Sequence, residues 1–261
     1  MTLRARRNTV IVTIVLNALV CIGGAAILFG LILESPERLT WSGLLAAHPG
    51  LGYTLFQSTL GCAALIILFR MFRKSSIPEM FLLMVAIGTI AFENLRVVFI
   101  LLQEFRQPMI YFELISRLLL FFEIAGISGF FFISLYLLGV QYQKVDTILW
   151  IQAVVGLLFA YALPIRTITR PSFSNHLVGG PFLYTALIGG IAVLALINLA
   201  CAWLQQRSLE NWGLYSGGAV LIIGRLLSIV LPHDFRIIGV LFLVLGLVLF
   251  SRDQYNRYLW N

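Results

Sequence analysis

The sequence contains few charged side chains and few cysteines. Only 11% of its 261 residues are Asp, Glu, Lys or Arg, whereas soluble globular proteins average about 25%. No polar stretch is long enough for a soluble domain of ordinary size. The three cysteines all lie within apolar runs, and an odd number in such places excludes a disulfide framework. The composition therefore excludes a water-soluble protein of the usual kind.

Familiar catalytic and nucleotide-binding motifs are also missing. The sequence has no Walker A loop, G-x-S-x-G elbow, H-E-x-x-H or C-x-x-C. Glu113 with Arg117 is similar to part of the motif of CAAX-processing membrane proteases, which have a double glutamate, a spaced arginine and intramembrane histidines. Phe112 stands where the first glutamate would be, and all three histidines fall outside the long apolar runs. We therefore expect no enzymatic activity, no metal and no cofactor, and an intramembrane enzyme is the weakest alternative.

Long apolar runs are what the sequence has in abundance. The chain is 60% hydrophobic, with a mean hydropathy of +0.97, and a helical membrane span needs about 20 apolar residues. The eight runs that qualify are 10–33, 51–70, 80–102, 111–138, 147–165, 182–203, 212–231 and 236–251. All eight prolines fall between these runs or at their ends, where proline is compatible with helices. The sequence predicts an all-α, polytopic transmembrane helix bundle of about eight spans, forming a single integral membrane domain over residues 1–261.

The basic residues predict the orientation of this bundle. With the N-terminus inside, the inner segments carry ten Lys and Arg residues and the outer segments five, which agrees with the positive-inside rule. Both termini are therefore expected in the cytoplasm, and the protein in the cell (inner) membrane. The net charge of +7 is spread over short loops rather than one soluble face, so no nucleic-acid partner is predicted.

Arg70 and Arg236 stand at the ends of their spans and are counted with the inner and outer segments, respectively. Six ionisable side chains lie inside the predicted spans, three acids and three arginines. They are Glu93, Arg96, Glu113, Arg117, Glu123 and Arg225. A charge near the bilayer centre costs about 3 kcal/mol on insertion scales, so each of these side chains needs a partner or water. They are the candidate site of the protein.

Depth along the helices places the arginines together. With a rise of about 1.5 Å per residue, Arg96, Arg117 and Arg225 each fall about 9 Å below the outer boundary of the membrane. Gln57 falls at a similar depth, whereas the glutamates range from about 3 to 18 Å by the same arithmetic. The sequence therefore predicts that arginines from three spans share one level in the outer half of the bilayer.

Spacing and depth also limit which charges can pair. Glu113 and Arg117 are four residues apart and so share one helical face, as does Glu93 with the arginine three residues after it. Glu93 can also reach Arg117 if the third and fourth spans are antiparallel neighbours. Glu123 is the deepest, so its partner is expected from another helix. Arg225 has no acid on its own span, so Glu123 or Glu93 is the expected counter-charge.

Two interpretations of the charges remain open at this stage. The first is a closed structural network of salt bridges. The second is a polar cavity open to the outer face, where the arginines favour an anionic solute or lipid headgroup and Glu123 serves as a proton or cation site. The leading hypothesis for function is a non-enzymatic sensor-type or accessory membrane subunit. The alternative is a small-solute transporter, anion-selective or proton-coupled, with Glu123 as the coupling group.

Partners and packing complete the predictions. The expected partners are the lipid bilayer, a small anionic ligand on the outer side, and a membrane or cytoplasmic protein that contacts residues 70–79 or 140–146. Residues 34–50 predict a short interfacial helix, and residues 166–181 form the most polar outer loop. Small residues four apart predict close helix packing within the bundle; the pairs are Ala125 and Gly129, Gly156 and Ala160, Ala186 and Gly190, and Gly213 and Gly217.

Overall fold

The computed structural model describes residues 2–34, 43, 48, 50–73, 77–139, 145–165, 178–206, 212–231 and 235–260. In this part of the chain the regular structure is helical, and one isolated β-bridge joins Ile165 to Val178. Eight helices are long and apolar enough to cross a membrane. The predicted all-α bundle of about eight spans is confirmed.

The helices follow the predicted spans closely. They are α1 (Leu3–Glu34), α2 (Leu51–Phe72), α3 (Pro78–Glu104), α4 (Met109–Leu137), α5 (Val145–Ala162), α6 (Pro181–Gln206), α7 (Trp212–Val230) and α8 (Arg236–Trp260). The last helix extends beyond the predicted end at residue 251, because the polar residues that follow continue the helix. The predicted interfacial helix and polar outer loop fall largely outside the described residues, as do parts of the two predicted contact segments. The residues concerned are most of 34–50, and 166–177, 140–144 and 74–76.

Helices α3 and α4 form the centre of the bundle. In each, 67% of the most apolar window is buried, compared with 17% in α1. Helix α4 contacts α3, α5, α6 and α7, while α2 and α1 pack against the middle of α3. Side chains from these two central helices are therefore shielded from lipid, and this is where buried charge can be tolerated.

The middle of α3 is not α-helical. Residues Thr89–Arg96 form a 3₁₀ helix between the α-helical stretches Pro78–Gly88 and Val97–Glu104. A 3₁₀ helix has three residues per turn, and stretches longer than three or four residues are uncommon. Residues Ile90, Glu93 and Arg96 thus share one buried side, whereas Phe92 and Leu95 are only partly buried. The sequence analysis expected an ordinary span here; the 3₁₀ segment aligns two of the charges.

Helices α7 and α8 pack more closely than any other pair. Gly217 and Gly224 of α7 face Gly246 and Gly239 of α8. A Cβ atom added at any of these four positions would lie 2.5 or 2.6 Å from a backbone nitrogen of the opposite helix. The absence of side chains lets the two backbones touch, which fixes the position of α7 and of Arg225 on it.

Candidate functional site

Five acidic or basic side chains are more than nine-tenths buried in the described part of the chain. They are Glu93, Arg96, Glu123, Arg225 and Arg236, and we refer to them as the buried cluster. The sequence predicts the first four as site residues, whereas it places Arg236 at the end of a span, among the basic residues of the outer segments. In the structure α8 begins at Arg236, and its Nε donates a hydrogen bond to the Leu231 carbonyl at 2.9 Å. With two acids and three arginines, the buried cluster has a net charge of +1.

Glu93 connects α3 to α7. Its Oε2 accepts a hydrogen bond from Arg96 Nε at 3.2 Å, and its Oε1 accepts one from Arg225 Nη1 at 3.1 Å. Residues three apart are neighbours on an α-helix, and the 3₁₀ winding brings these two directly into line on one side of the helix. Arg225 therefore finds its counter-charge in Glu93, one of the two acids expected from the sequence.

Glu123 connects α3, α4 and α6. Its Oε1 accepts a hydrogen bond from Arg96 Nη2 at 2.7 Å, and its Oε2 accepts one from the Tyr184 hydroxyl. Its partners come from other helices, as its depth suggested. The role of Tyr184 as a donor to Glu123 has no signal in the sequence, because a tyrosine near the end of a span is ordinarily an interfacial residue. With this bond, all four carboxylate oxygens of the buried cluster have a donor.

The donors of the buried cluster are not all used. Arg225 is fully buried, yet its Nε and Nη2 atoms have no hydrogen-bond partner in the described structure. A Cβ atom added to Gly126 of α4 would lie 3.6 Å from Arg225 Nε, so the side chain faces a position with no side chain of its own. Leaving a buried polar group unpaired costs about 1–3 kcal/mol, and more for a charged group. The unpaired guanidinium nitrogens therefore require an explanation.

Gln57 of α2 presents a second unpaired group. Its side chain is buried, and neither the amide oxygen nor the amide nitrogen has a partner in the described structure. One turn earlier on α2, Tyr53 lies within electrostatic range of Glu93, Arg225 and Arg236. Gln57, which the sequence predicted at this depth, thus lies one helical turn from Tyr53, the α2 side chain within range of these charges.

Glu113 and Arg117 lie apart from the buried cluster. Arg117 Nη2 contacts Glu113 Oε1 at 2.6 Å, and the two side chains are 28% and 36% exposed, respectively. Arg117 Nη1 also donates to the carbonyls of Ala160 and Tyr161 at 3.1 and 2.8 Å, and the guanidinium lies 5.0 Å from the Tyr161 ring centre. Because Arg117 satisfies carbonyls at the end of α5, as basic residues commonly do at helix C-termini, its possible pairing with Glu93 is not realised.

No metal site is found in the part of the chain that the structure describes, where no three His, Cys, Asp or Glu side chains come together. His48 is described, and burial lowers its pKa below the ordinary value of 6.5. His176 and His233 lie outside the described residues.

No protein-family model, curated protein sequence or solved structure matches this chain. Similarity therefore supplies neither a family nor an activity. What the chain itself shows is its class: eight apolar helices, two of them largely buried, make it a multi-pass membrane protein.

Proposed function

We propose that this protein is a non-enzymatic membrane protein of the sensor or accessory-subunit type, and that its buried cluster binds an anionic ligand. The observation that supports this most directly is the imbalance within the cluster. Both carboxylates have two donors each, while Arg225 keeps two nitrogens without an acceptor. Uncompensated charge is costly in a low-dielectric interior, so an anion at Arg225 would be stabilised both by charge and by hydrogen bonds.

The chemistry of arginine indicates the kind of anion. A guanidinium is a planar fork that binds carboxylate or phosphate oxygens with two parallel hydrogen bonds. Arg225 uses only Nη1 for Glu93, so Nε and Nη2, which form one edge of the fork, remain for a ligand. A purely structural network needs no third arginine, since two acids are neutralised by two cations.

The position of the cluster supports a role in sensing. Glu93 holds α3 to α7 through Arg225, and a ligand anion would compete with Glu93 for that guanidinium. Binding would therefore weaken a contact between two helices and favour a different arrangement of them, which is how a ligand shifts a conformational equilibrium. In the proposed orientation, with both termini cytoplasmic and the protein in the inner cell membrane, the inner segments 70–79 and 140–146 would contact the protein that receives the signal.

Anion binding to purified protein tests the proposal. In detergent solution at constant ionic strength, phosphate or acetate is expected to raise the Tm, since a ligand at 100 times its Kd stabilises by about 2.7 kcal/mol. Arg225→Lys keeps a cation beside Glu93 but removes the fork, so it should lose most of this rise. Arg117→Lys, outside the buried cluster, is the matched control and should retain it. An equal rise in wild type and Arg225→Lys, or none in wild type, would contradict the proposal.

A transporter is the second candidate, and the 3₁₀ segment of α3 favours it. Transporters commonly place their binding sites where a membrane helix departs from α geometry, and a 3₁₀ stretch in mid-helix often marks a hinge. If this function is correct, protein reconstituted in liposomes should move an anionic solute or protons, and Glu123→Gln should abolish the flux. Glu113→Gln is the control that should leave the flux intact. The absence of flux in wild type would remove this candidate.

A further inference from the structure

An apolar groove of about 250 Å³ runs between α2 and α8. Small residues of α2, Gly61 and Ala64, leave it open on one side; Val244 and Leu247 of α8 form the other, and Ile90 of α3 contributes to its floor. Its volume exceeds the roughly 150 Å³ of an apolar cavity that stays dry and binds benzene or xenon. A space of this size and lining suits hydrocarbon rather than water.

The groove is long and opens towards lipid. It extends from Gln57 to Met71 along α2, a distance of about 21 Å at the rise of an α-helix. That is about two thirds of the roughly 30 Å thickness of the hydrocarbon core. Ile67 and Val248 on its two sides are more than half exposed, at 58% and 56%. An extended chain lying in the membrane could therefore enter from the side.

The outer end of the groove is polar and lies near the charges of the buried cluster. Gln57 lines this end, with a donor and an acceptor that both lack partners. Tyr53 lies one turn beyond it on α2, within electrostatic range of Glu93, Arg225 and Arg236. On α8, Arg236 is two turns outward from Leu243, the outermost α8 residue of the groove. A hydrocarbon-sized space thus ends at an unpaired amide, one helical turn from a side chain within range of the buried cluster, whose net charge is +1.

We propose that the ligand is a single-chain lipid with an anionic end group, a carboxylate or a phosphate, whose chain occupies the groove between α2 and α8. Its end group passes Gln57, which offers it a hydrogen bond, and is held by the cationic side of the buried cluster. This inference rests on the proposed anion site and specifies the ligand class for it. The charged end favours an anionic group and the apolar length favours a hydrocarbon chain. Together they indicate an amphiphile rather than a small solute.

Photolabelling in phosphatidylcholine liposomes tests the occupant. An oleate analogue and an oleyl phosphate analogue, each with a diazirine in the chain, are expected to label residues of α2 between 57 and 71 and of α8 between 243 and 251. The corresponding oleyl alcohol analogue lacks the charge and should label these residues at least tenfold less. Whichever of the two anionic probes labels at lower concentration identifies the end group. Equal labelling by the alcohol, or labelling spread evenly over α1 and α5, would overturn the proposal.

A matched pair of variants tests the groove itself. Val244→Trp fills it from α8, whereas Leu245→Trp places the same side chain on the neighbouring position, which is 52% exposed and not part of the groove. Labelling should fall at least tenfold in Val244→Trp and stay at the wild-type level in Leu245→Trp; an unchanged Val244→Trp would overturn the proposal.

The acetate-induced rise in Tm, measured on the same two variants, separates the two hypotheses. If acetate still stabilises both but no anionic lipid labels the groove, the lipid inference fails while the anion site stands. If acetate has no effect on either variant or on wild type, the anion site fails as well.

Discussion

Replacing Gly224 with alanine is expected to destabilise the bundle. The added Cβ would lie 2.6 Å from the backbone nitrogen of Leu243 and 2.9 Å from the carbonyl oxygen of Gly239, whereas ordinary contact begins at 3.4 Å. Both of these atoms belong to the backbone of α8, so no side chain can rotate away to make room. The only relief is a separation of α7 from α8.

The size of the effect follows from that separation. Restoring ordinary contact requires the helices to move apart locally by about 0.8 Å. One pair of atoms in optimal contact contributes about 0.1–0.2 kcal/mol of dispersion energy. A gap of 0.5–1 Å removes about a quarter to a half of that energy. Over the tens of atom pairs along this interface the loss is about 1–3 kcal/mol, the usual range for overpacking.

Reversible unfolding in mixed detergent micelles, followed by far-UV circular dichroism, measures this loss. Gly190→Ala on α6 is the matched control, because a Cβ there meets nothing within 4 Å. Alanine is favoured over glycine in helices by up to about 1 kcal/mol, so Gly190→Ala should be neutral or slightly stabilising. If Gly224→Ala were as stable as Gly190→Ala, the backbone contact between α7 and α8 would not be as described.

Three further predictions concern charge, pH and orientation. Glu93→Gln removes an acid that pairs two buried arginines, so it should cost about 3–5 kcal/mol in the same unfolding assay. Glu113→Gln, in a partly exposed pair, should cost about 1 kcal/mol or less, and similar losses would refute the distinction. Because burial lowers the pKa of His48 below 6.5, the folded state binds fewer protons there than the unfolded state. Stability should therefore fall as the pH drops below 6.5, and His48→Gln should reduce this dependence of the Tm on pH; an unaltered profile would count against it. A protease-cleavable tag after Asn261 should be cut only from the cytoplasmic side, and cleavage from outside intact cells would reverse the predicted orientation.

The bundle of spans was predictable because hydropathy and proline placement report directly on membrane helices. The predicted span 80–102, for example, lies inside α3. Hydropathy does not distinguish 3₁₀ from α geometry, however, and no proline or polar break marks Thr89–Arg96. The burial of Arg236 also escaped prediction, since a charged residue at the end of a span is normally solvated, and only tertiary contacts show that this one is buried.

For the site, the sequence specified height in the membrane but not lateral position. The rise per residue correctly suggested that Glu123 finds its partner on another helix. It also placed Arg96, Arg117 and Arg225 at one level, yet Arg117 turns towards the end of α5 and joins no other arginine. Which residues at one depth are neighbours depends on helix rotation and order within the bundle, and neither is encoded in depth.

The 3₁₀ segment of α3 sets the rotation of the second α-helical stretch of that helix relative to the first. A 3₁₀ helix advances about 120° and 2.0 Å per residue, compared with about 100° and 1.5 Å for an α-helix. If the eight residues Thr89–Arg96 became α-helical, the stretch Val97–Glu104 would rotate by about 160° and move inward by about 4 Å. Glu93 and Arg96 would then stand about 60° apart around the helix axis rather than in line. Their bonds to Arg225 and Glu123 on other helices oppose that rotation. The ion pairs between helices therefore fix the winding of α3 as well as its position in the bundle.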